Sequence, residues 1–178
     1  MKKLRDATLV ILIKKSGGEI TNICLAMKKR GFGAGRYNGV GGKVERGETV
    51  EQAAIRETEE EIGVRPENLQ KVAQLSFYFE SEVISDEKQG SGEARFLFSP
   101  NNQKVHVYFS EQWQGEITES EEMKPKWFKI SQIPFEKMWP DDILWLPEVL
   151  KGKLLKAMFK FGKNDIILEK KINKVNKL

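Results

Sequence analysis

The segment at 48–63, ETVEQAAIRETEEEIG, constrains the fold most, because it predicts one long amphipathic helix between runs that favour β-strands. Ile55, Thr58 and Ile62 recur at helical spacing and form its apolar stripe. Gly63 predicts the end of the helix. Strands on both sides of a single long helix indicate one α+β or α/β domain with a mixed sheet.

The acidic end of this helix carries four glutamates within positions 57–61. Glu57, Glu60 and Glu61 share one face, at a spacing where like charges repel by roughly 0.2–0.5 kcal/mol per pair. They also lie near the C-terminal end of the helix, where the helix dipole disfavours anions. The pattern therefore predicts either an acidic face screened by solvent or a site for a cation.

The apolar runs around the helix predict the strands. Residues 7–13 and 22–27 predict a hairpin joined through Gly17 and Gly18, and 69–83 predicts one long strand or a bent pair. Further elements are expected as a polar loop at 85–94, strands at 95–99, 104–110 and 124–130, a helix after Asp142, and a last hairpin around 162–164.

Composition and charge limit the classes of partner. The 178 residues, 39% hydrophobic and 31% charged, predict a single domain over residues 1–178. The net charge is +4, but 26 acidic residues balance most of the basic ones, and part of the excess lies in a basic tail at about 169–178. We therefore expect no stable nucleic-acid partner. No apolar run approaches the roughly 18 residues of a membrane span, so we expect no membrane partner and a cytoplasmic location.

The counts of cysteine and histidine limit the chemistry. Cys24 is the only cysteine and lies in an apolar run, which predicts a buried thiol and excludes a disulfide within the chain. His106 is the only histidine and alternates with apolar residues, as expected of a sheet residue. Any catalysis must therefore depend on carboxylates.

A spaced pattern joins the acidic helix to the turn before it. Gly42, Glu48, Arg56-Glu57, Glu60-Glu61 and Gly63-Val64 stand at the offsets of the Nudix box, so the chain resembles the Nudix hydrolase family. The glycine-rich segment 30–43 fits neither a Walker loop nor a dinucleotide-binding fingerprint. Thr58 replaces the bulky aliphatic residue of the family pattern, for which we expect a small stability cost and no loss of activity.

The resemblance implies a metal site and a reaction. It implies Mg²⁺, which Mn²⁺ could replace, held by carboxylate and carbonyl oxygens. The implied ligands are Glu57, Glu60, Glu61, Glu122 and the backbone carbonyl of Gly41. Arg56 would pair with Glu48 and orient the ligands, and Glu61, or Glu122 as the alternative, would activate the attacking water.

Three longer segments, 27–44, 122–147 and 159–168, are similar to the oxidised purine nucleoside triphosphatases of this family, the MutT homologues. This similarity implies an α/β/α sandwich, in which the Nudix-box helix and a C-terminal helix pack on a mixed sheet. It also implies a monomer that hydrolyses a small-molecule substrate, such as 8-oxo-dGTP or 2-hydroxy-dATP, to the monophosphate and pyrophosphate.

The implied base pocket centres on Asn38, Asp141 and Asp142, which would read the purine edge. Two adjacent buried carboxylates repel, so one of them can hold a proton near neutral pH. One member of the pair could then donate a hydrogen bond while the other accepts one. The other implied substrate-binding residues are Thr8, Lys28, Phe32, Val40, Gly41, Gly42, Lys43, Phe77, Trp139 and Pro140.

Structural roles remain open for several of these residues. Asp141 or Asp142 could cap the following helix, and Trp139 and Phe32 could be ordinary core. Thr8 could be a strand residue, and Lys28 and Glu122 could be solvated surface residues.

Alternative functions also remain open. The segment 81–103 is longer than in the similar proteins, which leaves the base preference less defined than the chemistry. The alternatives are a Nudix hydrolase of a methylated purine nucleotide or ADP-ribose, and an inactive nucleotide- or RNA-binding module.

Overall fold

The computed structural model describes residues 4–80 and 99–178. Ten strands and two α-helices follow one another in this part of the chain. In chain order they are β1 (Arg5–Ser16), β2 (Glu19–Lys28), β3 (Tyr37–Asn38), α1 (Val50–Ile62), β4 (Arg65–Glu67), β5 (Gln70–Phe79), β6 (Gln103–Ser110), β7 (Gln112–Gln114), β8 (Met123–Lys129), α2 (Asp142–Leu150), β9 (Leu154–Phe161) and β10 (Ile167–Val175).

Most strands belong to one mixed sheet with the order β10-β9-β5-β6-β1-β2-β3, and β8 also pairs with β2. β1 runs parallel to β6, and β5 runs parallel to β9. The remaining neighbours in this sheet are antiparallel, including the predicted hairpin of β1 and β2. β4 and β7 form a separate pair.

The central strand β1 is apolar on both faces because each face of the sheet is covered by a helix. Leu9 and Ile11 pack in a core cluster that includes Trp145 of α2. Val10 packs in the opposite cluster with Ala54 of α1. The layered α+β fold expected from the sequence, with a mixed sheet between the two helices, is confirmed.

Helix α1 begins and ends within the predicted segment 48–63. Thr49 caps its start, because the hydroxyl of Thr49 accepts from the backbone N–H of Gln52 and the Gln52 side chain accepts from the backbone N–H of Thr49. Gly63 adopts the left-handed conformation, with φ of 75°, and its N–H donates to the carbonyl of Glu59. The glycine signal therefore placed the end of the helix correctly, while the capping of its start by Thr49 was not predicted.

The buried side of α1 differs in part from the predicted stripe. Thr58 and Ile62 are buried as expected, but Ile55 is only half-buried. Glu61, expected on the acidic face, is only 6% exposed. Its carboxylate can be buried because it accepts a hydrogen bond from the backbone N–H of Gly41, at 2.8 Å.

The predictions for the basic tail and for the segment 81–103 have different outcomes. Most of the basic tail predicted at about 169–178 belongs to the edge strand β10. This strand pairs with β9 and so forms the last hairpin that the sequence predicted. The predicted loop at 85–94, most of the strand at 95–99 and much of the insertion at 81–103 lie outside the described residues.

The single cysteine and the single histidine lie where the sequence predicted. Cys24 is buried in β2, and burial raises the pKa of its thiol to about 11. His106 is a buried residue of β6, with its Nε2 atom 2.8 Å from Oδ1 of Asp6. Among the described residues, no helix is long and apolar enough to cross a membrane.

Candidate active site

A cavity of about 530 Å³ opens beside the sheet, within the usual range for small-molecule sites. Its walls come from β1, the end of β2, the glycine-rich segment before α1, β5, β9 and the start of α2. The sequence-predicted residues that line it are Thr8, Lys28, Phe32, Asn38, Gly41, Gly42, Lys43, Phe77, Glu122, Trp139, Asp141 and Asp142.

The aspartate pair forms the buried part of this cavity. Asp141 and Asp142 are only 2% and 3% exposed. The indole N–H of Trp145 donates to Oδ2 of Asp141 at 3.1 Å, and the backbone N–H of Trp139 donates to Oδ2 of Asp142 at 2.9 Å. Asp141 precedes α2, but its side chain makes no capping hydrogen bond. Each carboxyl therefore accepts from one N–H group, which lies on α2 for Asp141 and just before α2 for Asp142.

Burial controls the protonation of the pair. It raises the pKa of Asp141 to about 7, against the hydrogen bond from Trp145 and the positive charge of Arg36. Burial also raises the pKa of Asp142 well above its ordinary value, and the neighbouring Asp141 raises it further. One carboxyl of the pair can thus carry a proton near neutral pH, as a donor to a ligand.

Aromatic rings line one side of the cavity. The ring centroids of Phe32 and Trp139 are 5.0 Å apart, and those of Phe32 and Phe79 are 5.3 Å apart. Phe32 is 48% exposed, so it lies at the rim rather than in the core. Phe77 packs deeper and stacks on Phe159 and Phe161. These rings provide flat apolar surfaces of the kind that a purine base contacts.

Arg36 is a cavity residue that the sequence reasoning missed. Its guanidinium carbon lies 4.1 Å from the centroid of the Trp139 ring. Its Nη2 atom donates to Oδ2 of Asp165 at 2.7 Å. The available signal was an arginine inside the glycine-rich segment, but its stacking partner and its acidic partner are more than 100 residues away in the chain.

Two hydrogen bonds hold polar parts of the cavity wall in place. Oδ1 of Asn38 accepts from the backbone N–H of Gly39 at 2.9 Å, which orients the side-chain amide of Asn38. The backbone N–H of Thr8 donates to the carbonyl of Gly42 at 2.8 Å. The second of these hydrogen bonds attaches the glycine turn to β1.

The two glycines of this turn allow the acidic helix to approach. A Cβ on Gly42 would lie 2.4 Å from the carboxyl carbon of Glu57, and one on Gly41 would lie 2.3 Å from the carbonyl oxygen of Thr8. Neither position can hold a side chain without displacing its neighbours. The cavity and the acidic helix therefore meet at Gly41 and Gly42, with Glu61 hydrogen-bonded to the first of them.

Arg56 organises the exposed part of the acidic helix. Its Nη2 and Nε atoms donate to the two oxygens of Glu48, at 2.8 Å and 3.1 Å, so the predicted pairing is present. Its Nη1 atom donates to Glu57 at 2.9 Å and to Glu60 at 3.1 Å. One guanidinium thus holds three carboxylates in a fixed arrangement.

Glu57 and Glu61 are partly withdrawn from water. Burial raises the pKa of Glu61 to about 7, against the hydrogen bond from Gly41, and the carboxylates of Glu57 and Glu122 add to the rise. Burial likewise raises the pKa of Glu57, although Arg56 opposes it. Carboxylates whose charges raise one another's pKa values are oxygen donors suited to a hard divalent cation.

The expected metal ligands do not converge on one point in the part of the chain that the structure describes, where no three acidic, histidine or cysteine side chains form a group that could hold a metal ion. Each carboxylate instead accepts a hydrogen bond from the protein. Arg56 donates to Glu57 and Glu60, and the backbone N–H of Gly41 donates to Glu61. Arg30 donates to Glu122 at 2.7 Å. The donor chemistry fits a divalent cation, while the ligand set stays a prediction.

Two predicted pocket residues do not reach the cavity. Val40 is 4% exposed and packs in the core cluster under α1, because its backbone pairs with Val10. Pro140 is exposed and lies outside the cavity wall, although both of its chain neighbours line it. Glu57, Glu60 and Glu61 also lie outside the wall, behind the glycine turn.

Comparison with known proteins gives the family of this fold and turn. The NUDIX domain profile matches residues 3–149, which is most of the chain. The chain belongs to the NUDIX family. The glycine turn and α1 are therefore its Nudix box, and the resemblance seen in the sequence is confirmed. Nudix hydrolases generally use a divalent metal ion.

Two curated relatives are similar to this Nudix chain over nearly its whole length. The oxidized purine nucleoside triphosphate hydrolase of Danio rerio is 42% identical over 173 residues, which are 96% of each chain. The protein of the same name in Mus musculus is 40% identical over 176 residues, which are 99% of each chain. A crystal structure of a MutT protein from Bacillus halodurans has a TM-score of 0.74 and 21% identity, and covers 96% of this chain and 98% of that one.

Proposed function

We propose that this Nudix protein hydrolyses oxidised purine nucleoside triphosphates, such as 8-oxo-dGTP and 2-hydroxy-dATP, to the monophosphate and pyrophosphate. The observation that carries the proposal is the continuity of the cavity from Asp141 and Asp142 to the Gly41–Gly42 turn beside Glu61. A base at one end places its phosphates near the acidic helix. The names of the two relatives with 40–42% identity support the same substrate class.

The aspartate pair suits an oxidised purine because it can offer a donor and an acceptor side by side. Oxidation of a purine exchanges hydrogen-bond donors and acceptors on its ring. A buried pair that shares one proton can match such an edge, while the unmodified base leaves a buried polar atom unpaired. A mismatch of this kind costs about 1–3 kcal/mol per group. Asn38 adds a third polar group at the same end.

The carboxylates of the Nudix box suit a divalent cation. Mg²⁺, which Mn²⁺ could replace, would be held by Glu57, Glu60, Glu61, Glu122 and the carbonyl of Gly41. When bound, this ion neutralises phosphate oxygens and orients the attacking water. Arg56 fixes the rotamers of its acidic partners, and the buried Glu61, with a pKa of about 7, is suited to accept a proton from water.

The first test is the Mg²⁺-dependent turnover of 8-oxo-dGTP beside dGTP, 2-hydroxy-dATP and ADP-ribose, with the products resolved as pyrophosphate or orthophosphate. Glu61→Gln is the inactive variant. Glu59→Gln is the matched control, because Glu59 lies on the same helix but is exposed and pairs only with Arg65 among the described residues. We expect preference for the oxidised purines, pyrophosphate release, loss of activity in the first variant and normal activity in the second.

Other outcomes would separate the alternatives. Turnover of ADP-ribose or unmodified nucleotides alone would keep the Nudix box and discard the base pocket. No turnover of any substrate would favour a nucleotide-binding module. The monomeric state and cytoplasmic location stay predictions, which sedimentation and cell fractionation would check.

A further inference from the structure

Arg36 lies in the cavity, and the proposed reaction assigns it no role. Its guanidinium carbon is 4.1 Å from the centroid of the Trp139 ring. A planar guanidinium at that distance stacks on an indole through its charge and its flat surface. It therefore covers one face of the indole ring.

The loop that carries Arg36 is shaped to the same ring. Gly33 has φ of +84°, and a Cβ there would lie 3.1 Å from Cζ2 of Trp139. Phe32, on the same loop, lies 5.0 Å from the indole between ring centroids. Phe32, Gly33 and Arg36 of one loop thus lie against the Trp139 indole. A shift of this loop would move all three together relative to the ring.

A second segment holds Arg36 from the other side. Oδ2 of Asp165 accepts from Nη2 of Arg36 at 2.7 Å, with both side chains about 30% exposed. Asp165 and its neighbour Asn164 both have positive φ, at 57° and 55°. Asparagine and aspartate tolerate this left-handed conformation better than other non-glycine residues, and two successive positive φ values are typical of a tight hairpin turn. The turn between β9 and β10 therefore presents Asp165 to Arg36.

The charge of Arg36 also acts on the base-reading end of the cavity. It lowers the pKa of both Asp141 and Asp142, against the effect of their burial. Asp165 pairs with Arg36 from the β9–β10 turn, and the other charged residues of the cavity wall are Lys28, Arg30, Lys43 and Glu122. Of these cations, Arg36 is the one whose charge lowers the pKa of both aspartates.

We propose that Arg36 is a positioning residue that covers one face of the Trp139 indole and is held there by Asp165. The purine base of the substrate then stacks on the opposite face, with its edge toward the aspartate pair. The inference rests on the proposed function and adds the residue that decides which face of the tryptophan receives the base.

Three variants test this role. Arg36→Gln removes the charge, and Arg36→Lys keeps the charge without the flat stacking surface. Asp165→Asn replaces the charged acceptor that holds Arg36 with a weaker, neutral one. Arg65→Gln is the matched control, because Arg65 pairs with Glu59 at the surface, away from the cavity. For each protein we would measure kcat and KM for 8-oxo-dGTP between pH 6 and 9, and the Kd of 8-oxo-dGMP by calorimetry.

The expected result separates position from charge. Arg36→Gln and Asp165→Asn raise KM and Kd about tenfold, while kcat changes less than about threefold. Arg36→Gln also moves the pH limb that depends on the aspartate pair to higher pH, since a nearby positive charge is lost. Arg36→Lys restores that limb but keeps the raised KM. Asp165→Asn does not move the limb upward, and the control variant matches the parent.

Contrary results are equally defined. KM and Kd of Arg36→Gln within about twofold of the parent would overturn the inference, as would a fall in kcat at unchanged KM. If the parent hydrolyses no purine triphosphate, the proposed function fails, and the Kd series for 8-oxo-dGMP still decides the role of Arg36. If the parent neither hydrolyses nor binds these nucleotides, both proposals fail.

Discussion

The candidate site contains two groups of carboxylates that are stabilised in opposite ways. Glu48, Glu57 and Glu60 surround one guanidinium, Arg56, and each of the three carboxylates forms a salt bridge with it. Asp141 and Asp142 are almost fully buried, and no lysine or arginine forms a salt bridge with either in the part of the chain described. Uncharged N–H groups of Trp145 and Trp139 are their hydrogen-bond partners.

The difference shows how one site can hold carboxylates for two tasks. Acidic groups near a cation keep their charge and can neutralise a further cation. Acidic groups buried without a salt-bridge partner take up a proton and become hydrogen-bond donors as well as acceptors. Glu61 stands between the two groups, because it is buried but lies beside the charged network.

The largest expected effect on turnover comes from removing a carboxylate of the network around Arg56. Glu57→Gln should lower kcat by at least roughly 10²–10³-fold at a fixed Mg²⁺ concentration, because removal of a metal ligand costs several kcal/mol of charge stabilisation. It should also raise the Mg²⁺ concentration needed for half-maximal activity. Initial rates across a Mg²⁺ titration would check this, with Glu59→Gln as control. Unchanged Mg²⁺ dependence would remove Glu57 from the ligand set.

The protonation of the buried aspartate pair should be visible in the pH dependence of the free energy of unfolding. The folded-state pKa of Asp141 is about 7, above its ordinary 3.8, so its contribution to stability is fully present below about pH 4 and is lost as pH rises through 7. The rise of this pKa from 3.8 to about 7 corresponds to roughly 4 kcal/mol for full ionisation. Asp141→Asn cannot ionise at this position. The free energy of unfolding of the variant minus that of the parent should therefore be larger at pH 8 than at pH 5.

Urea unfolding of parent and variant at pH 5, 6, 7 and 8 would measure this difference. Glu61 titrates in the same window in both proteins, so its contribution cancels when the two are compared. Asparagine keeps an acceptor for the indole N–H of Trp145, so the hydrogen bond to Asp141 does not confound the result. Parallel stability curves for the two proteins would contradict a raised pKa for Asp141.

A smaller effect should appear in base selectivity. Asp142→Asn fixes one member of the pair as a permanent donor and acceptor, so the pair can no longer exchange a proton to suit different purines. We expect the ratio of kcat/KM for 8-oxo-dGTP to that for 2-hydroxy-dATP to change by about 10–100-fold. Competition assays with both nucleotides would measure the ratio. An equal loss on both would argue for a structural role only.

The smallest effect is expected on the buried side of α1. Thr58 is fully buried, and its hydroxyl donates to the carbonyl of Ala54 at 2.7 Å. That carbonyl is already positioned for an intrahelical bond, so Thr58→Val should change stability by less than about 1 kcal/mol and leave kcat unchanged. Thermal unfolding and turnover would check both statements. A large loss of activity would show that the hydroxyl supports the adjacent glutamates.

Local patterns predicted much of the fold because local forces dominate there. The end of α1 at Gly63, the hairpin of β1 and β2, and the apolar run of β1 all follow from signals within a few residues. The Nudix-box spacing likewise predicted the pairing of Arg56 with Glu48, which are eight residues apart.

Other features depend on distant parts of the chain. β10 looked like a solvated basic tail because it is an edge strand with mostly exposed side chains, and only its pairing with β9 makes it a strand. Glu61 looked like part of the acidic face until the Gly41 turn, 20 residues earlier, supplied its hydrogen bond. Val40 was expected in the pocket, but a bridge to β1 turns it into the core.

The sequence by itself determined the family and the position of the acidic helix, because these follow from spacing along the chain. The resemblance to the family also implied twelve of the residues that line the cavity. The tertiary structure decided which carboxylates are buried, which donor each of them accepts from, and that Arg36 stacks on Trp139. Burial and stacking depend on what lies beside a group in space. Those neighbours come from segments that no local pattern connects.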